Sequence, residues 1–170
     1  MKLKKQKKMK KVIDQNEIIK IVFDRNVDSL IIKPSMIDIS QENYLWEFLG
    51  DFYLKMLNND EYIEYIEMYL KPIVAWGVLL NNFDGISFQI TDKGLFTLLS
   101  ESGAQLLGSE NIYNSKIEIK RNLFTLIKIM LRNFEYEKEN GNELFEDFKV
   151  IKYPKMIKYD FSEKIIRNLY

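Results

Sequence analysis

The chain has 170 residues, enough for one domain with a substantial core, and it contains neither cysteine nor histidine. It therefore has no disulfide, no thiolate nucleophile, no cysteine–histidine zinc site and no serine–histidine catalytic pair. We predict that it is not an enzyme and that it uses no cofactor and no metal.

The charges balance in number but not in position. The 25 basic and 25 acidic residues give no net charge. Seven lysines and no acid stand in residues 1–11, and six basic against two acidic residues stand in 148–170, which leaves 12 basic and 23 acidic residues in 12–147. An acidic body with basic ends favours contact between copies or with an acidic partner. The apolar run at 73–80 is far shorter than the ~20 residues that span a bilayer, so we predict no membrane partner.

The first part of the chain predicts a basic arm followed by short helices. Residues 1–13 are interpreted as a solvated N-terminal arm, and a helical domain is predicted over 14–142. Asp14 is a suitable N-cap for the first short helix. Pro34 stands where helices commonly begin, and Gly50 is expected to end the helix that Pro34 starts.

The clearest helical pattern covers residues 61–80, with Asp60 as its expected N-cap. Pro72 lies inside this pattern and is expected to kink the helix, because proline cannot donate the hydrogen bond to the carbonyl of Met68. Ile63 is assigned to the buried face. Trp76 falls in the apolar half of the helix and is predicted to be a core residue.

Alternating apolar and polar residues over about 86–99 predict a β-hairpin or ordered loop that projects from the helices. Its turn is expected at Thr91, Asp92, Lys93 and Gly94. The longest helix is predicted over 109–138, where polar residues recur at steps of three and four, and its length is about 45 Å. The resulting fold class is mainly α, a bundle of about four helices with extended N- and C-terminal arms.

Residues 143–170 are predicted to be a C-terminal docking arm. The segment contains Pro154 and shows no sustained period, yet it holds too much apolar surface for a free tail. We therefore expect it to be mobile in an isolated monomer and ordered in an assembly. Its candidate docking residues are Phe148, Lys149, Lys152, Tyr153, Lys155, Lys158, Tyr159 and Phe161.

These aromatic and basic residues admit three interpretations. They can anchor a contact with a neighbouring subunit, which we favour, or stack on bases and contact phosphates, or pack on their own domain. The carboxylate pairs Glu61/Glu64 and Glu135/Glu139 share helix faces, and we interpret them as ordinary solvated faces. No glycine-rich phosphate loop occurs in the sequence.

Four short phrases follow one another in order. They are Ser40-Gln41, Phe48-Leu49-Gly50, Tyr69-Leu70-Lys71-Pro72 and Ile90-Thr91-Asp92-Lys93-Gly94-Leu95. A linker of small residues and a long amphipathic helix come after them. In this order the phrases resemble the head–tail connector proteins of tailed bacteriophages, and most closely the ring proteins of crAss-like phages. The resemblance covers about residues 34–137.

The resemblance implies a structural virion protein, made in the host cytoplasm and located at the head–tail junction. Its copies would form an adaptor ring, of twelve subunits by analogy, with the portal protein on one side and tail or further ring proteins on the other. DNA would pass through the lumen without sequence-specific binding. The alternative is a nucleic-acid-binding protein that uses the basic arms, for which weak, strongly salt-dependent binding is typical.

Overall fold

A computed structural model describes residues 10–22, 32–83, 89–91, 94–96 and 109–155, with 89–91, 94–96 and 109–113 described by their backbone alone. Helices make up most of this part of the chain, which confirms the mainly α prediction. They are α1 (Gln15–Val22), α2 (residues 34–49), α3 (Asp51–Leu57), α4 (residues 60–81) and α5 (Ser109–Glu139). No helix of the described part is long and apolar enough to cross a membrane.

Two of these helices are composite. α2 runs as α-helix over Pro34–Gln41, widens into a π-helical turn over Glu42–Trp46 and ends as α-helix over Glu47–Leu49. α4 starts with a 3₁₀ turn, widens at a π-turn and ends in regular α-helix; its parts are Asp60–Tyr62, Ile63–Tyr65, Ile66–Leu70 and Lys71–Asn81. A separate 3₁₀ turn, Glu143–Phe145, follows α5.

The predicted projecting hairpin is not supported. Within 86–99 the structure describes two three-residue strands, β1 (Gln89–Thr91) and β2 (Gly94–Phe96), which pair antiparallel with Thr91 opposite Gly94. Asp92 and Lys93, the centre of the predicted turn, lie outside the described residues. A ladder this short does not establish an element that projects from the helices.

Asp14 caps α1, as predicted. Its carboxylate accepts a hydrogen bond from the Glu17 N–H at 2.9 Å, and the Glu17 carboxylate accepts one from the Asp14 N–H, also at 2.9 Å. This reciprocal pair is a capping box, which satisfies N–H groups that the first turn of a helix leaves unpaired. It fixes the start of a helix whose Ile18 side chain is fully buried.

Gly50 separates α2 from α3, as predicted. Its φ of 53° is a conformation that glycine adopts without the steric cost of a Cβ. The Gly50 N–H donates to the carbonyl of Trp46 at 2.8 Å, and the Gly50 carbonyl accepts from the N–H of Tyr53 at 3.1 Å. One residue therefore ends one helix and starts the next.

A π-turn lies just before Pro72, the residue at which we predict a kink. The wide turn Ile66–Leu70 comes directly before the regular segment Lys71–Asn81, in which Pro72 occupies the first turn. Proline is tolerated there because its missing N–H is one that a first turn does not use. The N-cap of α4 is Asn59 rather than Asp60, since the Asn59 side chain accepts from the Glu61 N–H at 3.0 Å.

Two side chains of α4 are more exposed than the pattern predicts. Ile63, which we assigned to the buried face, is 57% exposed, so that assignment is wrong. The 3₁₀ turn before it and the π-turn after it do not have 3.6 residues per turn, so they rotate the helix faces away from the ideal pattern. Trp76 packs against the core but is only partly buried.

The second half of α4 is the centre of the bundle and packs against α1, α2 and α5. Its buried residues are Ile73, Val74, Ala75, Gly77, Val78 and Leu79. A Cβ on Gly77 would lie 2.4 Å from a ring carbon of Tyr44. The absent side chain therefore lets α2 pack directly on the α4 backbone.

The packed structure begins earlier than residue 14, so the predicted boundary of the N-terminal arm is wrong. Val12 and Ile13 are buried in the core, and the Val12 N–H donates to Oε1 of the buried Gln41 at 2.8 Å. Lys10 Nζ donates to the carbonyl of Leu57 at 3.1 Å. Residues 1–9 of the predicted arm lie outside the described residues.

The packed structure also continues beyond residue 142. Phe145 and Phe148 are 0% and 1% exposed, so the segment that we predicted to be a docking arm enters the core. Gly141, with φ of 78°, and the N-cap Asn142 turn the chain after α5. The Tyr62 hydroxyl then donates to the carbonyl of Leu144, which fixes the returning segment on α4.

The two phenylalanines join a cluster of aromatic rings centred on Phe134 of α5. Its ring centroid lies 4.9 Å from that of Phe145 and 5.4 Å from that of Phe148. Phe52 of α3 and two tyrosines of α4 complete the contacts of Phe134, which are Phe52, Tyr65, Tyr69, Phe145 and Phe148. The cluster joins α3, α4, α5 and the returning segment at one end of the bundle.

We expect Phe148→Ala to destabilise the isolated monomer by about 3–5 kcal/mol, the usual cost of removing a buried phenylalanine ring. Lys149→Ala, at the exposed neighbouring position, is the matched control and should change stability by no more than about 0.5 kcal/mol. Urea unfolding of both variants measures the difference. Equal stabilities of the two variants would show that the ring is not part of the monomer core.

An ion-pair group ties α1 to α4 and should make stability depend on pH. Lys71 Nζ lies 2.5 Å from Glu17 and 2.6 Å from Glu67. The hydrogen bond from Lys71 lowers the pKa of Glu17 below its ordinary 4.5. Burial disfavours the charge on Lys71, but its hydrogen bonds to the two carboxylates outweigh that effect and raise its pKa above 10.5.

Because the pKa of Glu17 is lower in the folded than in the unfolded protein, its stabilising effect is complete above about pH 4.5 and is lost as pH falls through the folded value. We expect Glu17→Gln to lose less stability than the wild type between pH 6 and pH 3, in urea titrations at each pH. Glu139→Gln, on an exposed position of α5, should follow the wild type. If the stabilities of all three proteins fell in parallel with pH, the Glu17–Lys71 pair would not contribute to the pH dependence.

Candidate interaction surface

The residues that follow Phe148, residues 149–155, lie across the bundle outside any helix or strand, and we call them the C-terminal strap. Lys138 of α5 donates to the Phe148 carbonyl at 2.8 Å and fixes its start. Lys152 pairs with Glu47 at the end of α2, and the Tyr153 hydroxyl donates to Glu135 of α5. The strap therefore connects the ends of α2 and α5.

The strap packs directly on Gly50, at the junction of α2 and α3. The Cδ1 atom of Ile151 would lie 2.8 Å from a Cβ at position 50, so the strap occupies the space that a side chain there would fill. The Lys152 ammonium lies 5.1 Å from the ring centroid of Phe48, within the range of a cation–π contact. The junction of α2 and α3 thus both ends a helix and receives the strap.

The structure separates the predicted docking residues into three groups. Phe148 is core and is removed from the set. Lys149, Lys152, Tyr153 and Lys155 are exposed on the strap, with Ile151 between them at 58% exposure. The remaining predicted docking residues, Lys158, Tyr159 and Phe161, lie outside the described residues.

Two polar groups of the strap, the Lys152 ammonium and the Tyr153 hydroxyl, are used within the chain. The hydrogen bond to Glu135 raises the pKa of the Tyr153 hydroxyl, with burial as a smaller cause. The hydrogen bond from Lys55 to Asp147, at 3.1 Å, raises the pKa of Lys55 and holds the chain just before the strap. Ile151 and the ring of Tyr153 are exposed on the strap, together with its lysines.

The first half of α4 presents an acidic face. Residues 58–70 contain no basic residue, and the face carries two exposed apolar side chains, Ile63 at 57% and Met68 at 64% exposure. Its exposed acidic residues are Asp60, Glu61, Glu64 and Glu67. Sequence reasoning missed this surface because it placed Ile63 in the core; the absence of any lysine or arginine over 58–70 is the signal that could have found it.

The strap and the acidic half of α4 lie on opposite flanks of α5. Glu135 contacts Tyr153 of the strap. Glu137 accepts a hydrogen bond from Asn142 at 2.8 Å, and its charge adds to burial in raising the pKa of Tyr65 on α4. Two residues correspond to about 200° around an α-helix, so Glu135 and Glu137 point to opposite sides.

A groove lies at the other end of α4, between α2, α4 and the first half of α5. Its volume is about 540 Å³, and its lining residues are Tyr44, Leu80, Asn81, Lys116, Ile117, Lys120 and Phe124. The Tyr44 hydroxyl donates to Asn81 Oδ1 at 2.7 Å, which fixes one wall. The Lys120 ammonium lies 5.7 Å from the Phe124 ring centroid. We call this the lysine-rimmed groove; no sequence pattern pointed to it.

The other predicted site residues show no convergent chemistry in the part of the chain that the structure describes. Thr91 and Gly94 stand opposite each other in the short ladder. Among the described residues no three cysteine, histidine, aspartate or glutamate side chains are grouped so that they could hold a metal ion. Comparison with protein-family models, curated proteins and solved structures found no match to this chain.

The contact between the strap and Gly50 can be tested by comparing substitutions at two glycines of positive φ, Gly50 and Gly141. Gly50→Ala introduces backbone strain, typically about 1–3 kcal/mol, and a contact with Ile151. Gly141 has a φ of 78°, but a Cβ there would meet no atom within 4 Å, so Gly141→Ala introduces backbone strain alone. We expect Ile151→Ala to reduce the cost of Gly50→Ala and to leave the cost of Gly141→Ala unchanged.

Free energies of unfolding for the single and double variants give the coupling between each glycine and Ile151. A coupling at Gly50 no larger than that at Gly141 would mean that the strap does not rest on this junction.

Proposed function

We propose that the protein is a structural virion subunit that assembles with copies of itself into an adaptor ring between the portal and the tail of a bacteriophage. A ring forms when one surface of a subunit contacts a different surface of the next. The observation that carries the proposal is that the bundle presents unlike surfaces in different places: the acidic face of α4 on one side, and two lysine-bearing surfaces, the strap and the lysine-rimmed groove, elsewhere.

The segregation of charge supports the proposal. The acidic face has four exposed carboxylates, and the strap has three exposed lysines and no acid over 149–155. Each surface also exposes large apolar side chains, Ile63 and Met68 on one and Ile151 and Tyr153 on the other. Interfaces combine such apolar anchors with polar surroundings, and complementary charge fixes their register.

Residues of the connector-like phrases occupy positions where the fold depends on them, which also supports the proposal. Ser40 and Gln41 are the buried polar residues among those described; Gln41 holds Val12, and the Ser40 hydroxyl accepts a hydrogen bond from Asn81 at 3.3 Å. Gly50 joins two helices, and the phrase that ends in Pro72 begins at the end of the π-turn of α4. Residues in such positions would be shared by proteins of the same fold because of their structural role, not because they take part in a reaction.

In this proposal the subunits form a closed ring at the head–tail junction, with twelve copies by analogy to the family. The portal binds one side, and tail or further ring proteins bind the other. The virion DNA passes through the lumen, where acidic side chains would prevent it from adhering. The strap and the residues after it contact a neighbouring protein.

One observation favours nucleic-acid binding as a second candidate. Lys149, Lys152 and Lys155 are exposed around an exposed tyrosine, Tyr153, which is the composition of a surface that stacks on bases and contacts phosphates. However, Lys152 is engaged by Glu47 and the Tyr153 hydroxyl by Glu135. Nucleic acid would have to compete with these contacts, so we rank this function second.

Sedimentation of the purified protein, alone and with the purified portal protein, tests the two candidates. We expect an oligomer whose mass is a whole multiple of 20.4 kDa, or a stoichiometric complex of many copies with the portal. DNA binding should be weak. A protein that stays monomeric in both experiments but binds DNA with a steep salt dependence would support the second candidate and contradict the ring.

A further inference from the structure

The lysine-rimmed groove has the properties of a receptor for an acidic helix. Its walls offer apolar side chains from two helices, Leu80 of α4 and Ile117 and Phe124 of α5, none of them fully buried. Lys116 and Lys120 stand one turn apart on α5 at its edge, so their Cβ atoms are about 5–6 Å apart. An occupant must therefore bring apolar side chains flanked by carboxylates with a similar spacing.

The acidic face of α4 has this composition. Met68 is 64% exposed, and its flexible side chain adapts to irregular apolar spaces. Glu64 and Glu67 are three residues apart on the same helix and are both exposed, so their spacing matches that of two lysines one turn apart. The face therefore carries the apolar group and the paired charges that the groove requires.

The strap is a poorer partner for the acidic face. It lies outside any helix, so Lys149, Lys152 and Lys155 do not have the spacing of neighbours on one helix face. The groove offers its two charges at helical spacing, beside an apolar floor that the strap lacks.

The groove and the acidic face cannot meet within one molecule, because they lie at opposite ends of α4. Sixteen residues separate Glu64 from Leu80, about 24 Å at 1.5 Å per residue. A contact between them must join two molecules, and it leaves a free groove on one and a free face on the other. Such a contact repeats from copy to copy, and it produces a ring when the rotation closes.

We propose that the lysine-rimmed groove receives the acidic face of α4 from a second copy of this chain. Met68 enters the groove between Leu80, Ile117 and Phe124, and the carboxylates of Glu64 and Glu67 lie against Lys116 and Lys120. This inference rests on the proposed function, since it names the contact by which copies of the chain join. The strap then remains available to the portal or to tail proteins.

Exchange of charge across the contact tests the pairing. Lys120→Glu and Glu64→Lys should each weaken self-association by roughly tenfold or more, because each places like charges together. An equimolar mixture of the two variants should assemble again, since every groove then finds a face of opposite charge in the other variant. The measurement is sedimentation velocity under the conditions in which the wild type assembles, with circular dichroism to show that each variant is folded.

Matched controls carry the same charge changes elsewhere on the surface. Lys128→Glu lies on α5 outside the groove lining, and Glu139→Lys lies at the end of α5; both should assemble like the wild type. Met68→Ser removes the apolar group without a change of charge and should also weaken association. It keeps the test informative if Lys120→Glu does not fold.

Three results would overturn the inference. If the wild type assembles and all three interface variants assemble equally well, the pairing is wrong while the proposed ring stands. If the single variants fail to assemble and their mixture fails too, the two residues do not face each other. If the wild type assembles neither alone nor with the portal, the proposed function and the inference are both wrong.

Discussion

The aromatic cluster around Phe134 is the interaction on which the rest of the structure depends. Phe134 lies on α5, Phe52 on α3 and Tyr65 on α4, while Phe145 and Phe148 come from the segment after α5. Edge and tilted contacts between such rings add to the free energy of their burial. Because the returning segment supplies two of the rings, the position of the strap and the orientation of α4 both depend on the same packed site.

Lysines of this protein hold segments together as well as solvate its surface. Lys10 binds a carbonyl at the end of α3, Lys138 binds the carbonyl of Phe148, and Lys55 binds both Asp147 and the carbonyl of Leu144. A lysine can bury its aliphatic stem while its ammonium group satisfies carbonyls that helix ends leave unpaired. Lysines of the basic N-terminal end and lysines of the acidic body thus both attach the ends of the chain to that body.

Much of the helical structure could be predicted because local signals determine it. The Asp14–Glu17 capping box, the break at Gly50 and the extent of α5 all depend on residues a few positions apart. The returning segment could not be predicted in this way, since Lys55 and Asp147 are 92 residues apart and residues 143–155 have no period of their own. Ile63 was misplaced because the pattern assumes 3.6 residues per turn, whereas α4 begins with a 3₁₀ turn and contains a π-turn.

In the candidate site, too, some features follow from the local sequence and others depend on residues far apart in the chain. The exposed lysines and tyrosine of the strap follow from composition, but their fixed position follows from Phe148, which composition assigned to the same docking set. The lysine-rimmed groove could not be predicted, because it forms only when Tyr44, Leu80 and Phe124 from three helices come together.

The irregular turns of α4 connect the core of one molecule to the surface proposed for contact with the next. The half of α4 after the π-turn is buried against three other helices, while the part up to and including the π-turn presents carboxylates, Ile63 and Met68 to solvent. A helix of uniform pitch with this sequence would bring Ile63 to the buried side, as the periodicity predicts. The π-turn that precedes Pro72 therefore allows a single helix to fill the core with one half and to present an apolar, acidic face with the other. Since the buried half is fixed by its packing, the exposed half is held rigidly, and a rigid contact surface is what repeated assembly with a constant angle between subunits requires.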